Sequence, residues 1–179
     1  MEIEKVLQQA KELLESANLT VDDLVQYCEK GLPFEVMYEG MVRSWVSLEG
    51  KKPLGVIFEN HLITLKDSPD KVDWYKAKDY CRSVKIDGHA CSVGKLRFWK
   101  KLVNSSWKQK EALDCLLIRL GGTALGVKRR WSSSEYDTYG AWVFCTDTGA
   151  GQGGVSFYSK YYDNRNFVVR PVLDLSDLS

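Results

Sequence analysis

The sequence predicts a mixed α+β fold, and three observations carry that prediction. Apolar residues recur at helical spacing over residues 2–17, 70–84, 95–103 and 107–120, and in short β-type runs elsewhere. The segments come in blocks, helices, strands, helices, strands, without the regular alternation that builds a doubly wound parallel sheet. The β-type runs are punctuated by Gly, Asn and Asp, as turns between strands are.

In chain order, Ile3, Leu7, Ala10, Leu14 and Ala17 repeat at steps of four and three, one face of a helix. Thr20 then reads as an N-cap, with Asp22 and Asp23 in a first turn whose dipole favours acids. This second helix runs to about Lys30 and stops at Gly31, with Pro33 beyond. Residues 1–32 therefore form a small helical hairpin ahead of a domain over 33–179. It packs on that domain or, through residues 2–17, joins a homo-oligomer. From Phe34 the period changes, and FEVMYEG, RSWVSLEG and LGVIFENHLITLKD read as strands. Asp70 to Val84 reads as a helix with Trp74, Ala77 and Cys81 on one face. Leu96, Trp99 and Val103, then Ala112, Cys115, Leu116 and Arg119, are the core positions expected of the next helical region, which Gly121-Gly122 ends. Lys128-Arg129-Arg130 reads as a loop. AWVFCTDTG, GGVSFYSKYY and NFVVRPVLDL are the last β-type runs, and Pro171 makes the final one an edge strand or bends it there.

Composition narrows the function. The chain has 179 residues, 44% hydrophobic, enough for one sizeable core. A net charge of +1 supplies no field to recruit nucleic acid. Lys95, Arg97, Lys100, Lys101 and Lys128 to Arg130 are balanced by acids and lack a stacking pattern, so they read as a solvated face. No apolar run is long enough to span a bilayer, and MEIEKVLQQAKELLES lacks the features of a secretory signal. The expectation is a cytoplasmic or virion-associated chain without membrane insertion. Five cysteines, an odd number without CxxC, read as reduced and buried.

No cofactor, metal site or catalytic set is legible. His61 and His89 have no Glu partner at ligand spacing, and no Ser/His/Asp set stands out. Asp147-Thr148-Gly149-Ala150 matches an aspartic-protease motif, but that chemistry needs a second carboxylate and the chain has one copy. Gly149, Gly151 and Gly154 fit GxGxxG, yet they lead into the strand-like VSFYSKYY rather than a helix, so a hairpin turn is the better reading.

Two stretches are unusual. FYSKYYDNRNF, residues 157–167, crowds aromatic rings among Ser, Asp and Asn. Strand alternation turns only about half of them inward. Tyr with Ser, Asn and Asp is the composition of recognition surfaces, where rigid rings give contact area and small polar groups give adaptable hydrogen bonds. WSSSEYDTYGAW, residues 131–142, is also rich in aromatics and hydroxyls, more hydroxyls than a buried strand is expected to carry.

These stretches also form a pattern. Trp131-Ser-Ser-Ser-Glu135, Ala141-Trp142 and Val168-Val169-Arg170-Pro171-Val172 resemble the WSSTE, AW and VRPV signature of C-type-lectin-fold proteins related to formylglycine-generating enzymes. That group includes bacterial major-paralogous-domain proteins and the variable proteins of diversity-generating retroelements. Gly55-Val-Ile-Phe58 and Trp74 to Cys81 resemble its early strand and its W..A..YC helix. The resemblance spans roughly residues 54–175. The family's LPT..E segment is replaced here by ACSVGKLRF, residues 90–98, which loses a threonine cap and an acid.

The resemblance implies a C-type-lectin-like domain in which WSSSE is structural. The tryptophans would pack under the final strands, and the serines and glutamate would satisfy backbone groups. Residues 136–139 would share an exposed face with residues 158–166. In the retroelement proteins that face is the ligand site, diversified at adenines of AAY codons. Changing the first two letters of such a codon cannot yield Lys, Gln, Glu, Met or Trp. Asp137, Thr138, Tyr139, Phe157, Tyr158, Ser159, Tyr161, Tyr162, Asp163, Asn164 and Asn166 obey the restriction, and Lys160 does not, so Lys160 would be fixed. With Tyr136 these residues are the candidate ligand-binding set for a protein or other macromolecular partner. The same relationship admits an oxidase built on a close pair of reactive cysteines, and a third reading is a structural virion or assembly component oligomerised through residues 2–17.

Overall fold

The alternation of residues 32–38 decides the first sheet. Leu32, Phe34, Val36 and Tyr38 enter the main core, while Met37 enters a separate cluster on the opposite face. The computed structural model describes residues 31–146, 154–161 and 167–176. The expected helices of residues 1–30, Cys28, the 147–151 motifs, Tyr162, Asp163, Asn164 and Asn166 lie outside the described residues.

Four strands come first, β1 (Gly31–Tyr38), β2 (Val42–Val46), β3 (Pro53–Phe58) and β4 (His61–Thr64). Helix α1 (Trp74–Ser83) leads to the short strands β5 (Lys85–Ile86) and β6 (His89–Ala90). Helices α2 (Leu96–Val103) and α3 (Trp107–Arg119) precede β7 (Arg130–Glu135), β8 (Gly140–Cys145), β9 (Gly154–Ser159) and β10 (Val172–Asp174). The fold is α+β. Its strands pair antiparallel in a five-stranded sheet ordered β10-β4-β3-β1-β2, a three-stranded sheet β7-β8-β9 and the β5-β6 hairpin.

Local chemistry sets the boundaries. Strand β1 starts at Gly31, ahead of the period change seen at Phe34, and buries Leu32. Helix α1 begins at Trp74 rather than near Asp70, because the Asp73 carboxylate accepts the Lys76 N–H at 2.8 Å and caps it there. The β5-β6 hairpin escaped the sequence reading, although Asp87-Gly88, at φ 45° and 84°, is a favoured two-residue hairpin pair. Helix α3 is capped by Ser106, whose Oγ accepts the Gln109 N–H at 3.2 Å. Its buried positions are Leu113, Leu116 and Leu117, whereas Cys115 and Arg119 are exposed. The helical period was right and its phase was off by a residue. Gly121, at φ 80°, turns the chain out of α3, and a Cβ on Gly122 would meet the Leu65 carbonyl oxygen at 2.3 Å.

The main core lies between the five-stranded sheet and α2 and α3, and Phe144 of β8 reaches it to stack on Trp99, centroids 4.0 Å apart. A second core joins Trp74, Ala77 and Cys81 of α1 to Trp131, Ala141, Val143 and Val169. The final segment links the sheets. Phe167 bridges Val72, Val168 bridges Arg130, and after Pro171 the chain becomes β10 at the edge of the large sheet.

One buried ionic group fastens this junction. Asp67 accepts Arg130 Nε and Nη2 at 2.7 and 2.8 Å and Arg170 Nε at 2.8 Å, and both arginines are fully buried. Their other N–H groups go to the carbonyls of Thr64, Thr123, Ala124, Leu125 and Lys128. Arg130 is therefore no part of a solvated basic face, because it closes the loop before β7 from inside. Among the described residues no helix is long and apolar enough to cross a membrane, and no cluster of His, Cys, Asp or Glu could hold a metal.

Candidate binding face

Residues 130–135 form a true strand despite their hydroxyls, and the structure shows where those groups go. Trp131 is buried, and its indole N–H donates to the Val72 carbonyl at 2.7 Å. The Ser132 carbonyl accepts the Trp74 indole N–H at 2.8 Å, and Ser132 Oγ accepts the Ser134 N–H at 3.3 Å. Ser134 Oγ accepts the Leu96 N–H at 3.0 Å. Lys95, at the N-cap position of α2, makes no side-chain cap, so a serine from another strand replaces the missing local one. The register of β7 on β8 shifts between Trp131 and Glu135, and this irregularity frees the serines for such bonds.

The β7–β8 turn is Tyr136 to Tyr139. Asp137 Oδ1 accepts the N–H groups of Tyr139 and Gly140 at 2.8 and 2.6 Å, so this carboxylate shapes the turn. Lys160 holds it from below. Its ammonium donates to Glu135 Oε2 at 2.8 Å and to the carbonyls of Asp137 and Thr138 at 2.9 and 3.0 Å. It also lies 4.9 Å from the centre of the Trp74 ring. Lys160 is 2% exposed, unusual for a lysine.

Strand β9 presents its aromatics on two sides. Phe157 stacks on Tyr136, centroids 3.9 Å apart and planes within 7°, and Trp142 meets both rings edge-on. Tyr136 and Phe157 stay about half exposed, at 50% and 52%. Lys100 of α2 lies 5.7 Å from the centre of the Trp142 ring. Tyr158 points the other way, packs edge-on against Phe167 beside the second core and accepts a hydrogen bond from the Arg129 guanidinium through its hydroxyl. Of the residues expected to share one face with residues 136–139, Tyr158 lies on the other side of β9 from Phe157, because a strand period of two parts them. Trp142 likewise does not pack under the final strands, and only Trp131 does.

The remaining candidates flank this front. Tyr139, 72% exposed, and Thr138 stand at the turn tip, and Ser159 Oγ accepts the Tyr161 N–H at 3.4 Å. Tyr161, 62% exposed, shares a 2.9 Å hydroxyl contact with Tyr75 of α1. That hydrogen bond raises the Tyr75 pKa to about 12. The sequence reading missed Tyr75, Trp142 and Lys100 as neighbours of the face. Alternation along β8 could have placed Trp142 on its outer side, but nothing in the sequence brings α1 or α2 alongside.

The arrangement offers flat apolar rings with polar edges on a fixed turn, without a nucleophile–base pair among them. No protein-family model matches the chain, and no curated protein matches it.

Proposed function

We propose that this chain is a non-enzymatic binding protein with a C-type-lectin-like fold, which presents the Tyr136–Phe157–Trp142 front and its flanks to a protein or other macromolecular target. The observation that carries this reading is the stacked, half-exposed Tyr136–Phe157 pair on a turn held by a buried lysine. Aromatic rings in the open lose water only when a partner covers them, and a turn already fixed loses little entropy on binding. The WSSSE and VRPV residues act as frame, through Trp131, Ser134, Arg170 and their partners, which fits the structural part implied by the resemblance. Diversification of the face by a retroelement is part of the proposal. Phe157, Ser159, Tyr161, Thr138 and Tyr139 can change without opening a core, whereas Lys160, the residue such codons cannot produce, anchors the turn.

Sequencing the gene and its flanking DNA across one growing population tests the diversified form. Substitutions confined to the codons for residues 136–167 and matched to adenines in a nearby repeat support it, and a uniform gene without a repeat removes it. The binding itself is tested by comparing partner capture by the wild type and by a Tyr136→Ala, Phe157→Ala variant. Loss of capture with an unchanged melting midpoint is expected, and equal capture overturns the reading.

A further inference from the structure

A recess separate from the aromatic front lies where the β3–β4 turn meets α2. Glu59, Asn60, His61, Arg97, Phe98 and Lys101 line a cavity of about 330 Å³. That is the low end of the range for small-molecule sites, too small for a polymer and adequate for one ring with a substituent.

Its surfaces are of two kinds. One is flat, because the His61 ring stacks on Phe98 with centroids 4.3 Å apart and planes within 20°. Phe98 is itself fixed in the main core, 3% exposed. The other is polar and has unspent capacity. Lys101 pairs with Glu59 at 2.9 Å, which occupies the one carboxylate lining the cavity. Arg97 is exposed, and no hydrogen bond or ion pair engages its guanidinium among the described residues. His61 Nδ1 is buried without a hydrogen-bond partner, and Nε2 lies 3.7 Å from Asp174. The turn is also strained, since Glu59 stands at φ 54°, where glycine is favoured. Among the lining residues two cations stand against one carboxylate, and Asp174, outside the lining, is the next carboxylate, 3.7 Å from His61. An unengaged guanidinium is a fork matched to two oxygens of one group.

We propose that this cavity binds a small organic anion, a planar ring carrying one carboxylate or phosphate, with the oxyanion on Arg97 and the ring against the His61–Phe98 stack. Lys101 shields the ligand from Glu59, and the Asn60 amide lies at the rim as a further donor.

The chain contains two histidines, and the exposed His89 is an internal reference for His61. Nuclear magnetic resonance of the full chain, titrated with benzoate, phenyl phosphate and inorganic phosphate, reads the site directly. The expected result is a saturable shift of the His61 ring signals with His89 unmoved. Whichever of benzoate and phenyl phosphate binds more tightly identifies the oxyanion, and that ligand should bind more tightly than inorganic phosphate. Arg97→Ala should weaken it roughly tenfold, the scale of one charge-assisted hydrogen bond, with the melting midpoint unchanged. A shift that does not saturate, one shared by His89, tighter binding of inorganic phosphate than of both ring ligands, or full affinity in Arg97→Ala overturns the proposal.

Discussion

The Lys160 ammonium sits 2.8 Å from the Glu135 carboxylate and, in the same position, closes two carbonyls of the turn that follows. It thereby makes the tip of the β7–β8 hairpin a rigid shelf for Tyr136. Lys160→Met keeps the buried stem and removes the three bonds. Because Glu135 is half exposed and water can replace part of the loss, the expected cost is about 1–3 kcal/mol. Denaturant unfolding measures it, and amide exchange at Tyr139 and Gly140 should quicken in the same variant. Unchanged exchange there would mean that Asp137 alone holds the turn.

A serine on one strand caps a helix that has no cap of its own. Ser134→Ala removes the Oγ that accepts the Leu96 N–H and should cost about 1 kcal/mol, as lost N-caps do. Ser134→Thr should recover part of it. If the alanine variant unfolds at the wild-type denaturant midpoint, water caps α2 equally well.

What could be read from the sequence was mostly periodic. The ends of α2 and α3, the α+β class and the edge position of the last strand all follow from local spacing and from Pro171. The failures share a cause, which is that a side chain's partner lay far along the chain. Arg130 looks like one of three loop cations until Asp67, 63 residues away, is seen to hold it. Three serines look too polar for a strand until the Ser134 hydroxyl is seen to cap α2 and the Ser132 hydroxyl to accept the Ser134 N–H. Helix α3 was phased on Cys115 because Ala112, Cys115 and Leu116 fit the period as well as Leu113, Leu116 and Leu117 do, and only packing against the sheet separates them.

The cysteines separate the binding reading from the oxidase alternative. Burial pushes the Cys91 thiol up to about 11 and the Cys81 thiol higher still, so both should resist alkylation in the folded protein. Cys115 is exposed on α3. Iodoacetamide labelling at pH 7.5, mapped by peptide mass, should mark Cys115 early, and Cys81 and Cys91 only after unfolding. Rapid labelling of Cys81 and Cys91 together would show a reactive pair and favour the oxidase.

The shared carboxylate of Asp67 gives stability a defined acid dependence. Burial is the largest influence on this group and by itself raises its pKa, but the hydrogen bonds and charges of Arg130 and Arg170 outweigh it and hold the carboxyl below its ordinary value. A depressed folded pKa means that the stabilisation is complete above the unfolded value, about 3.9, and is lost as pH falls through the folded one. Asp67→Asn leaves two buried guanidinium groups without a counter-charge, which should cost about 3–5 kcal/mol near neutrality. Below about pH 4 the wild type loses what the variant never had, so the gap between their urea midpoints should narrow as pH falls. A gap that stays constant from pH 7 to pH 2.5 would place the stabilisation in packing around the arginines and not in the charge of Asp67.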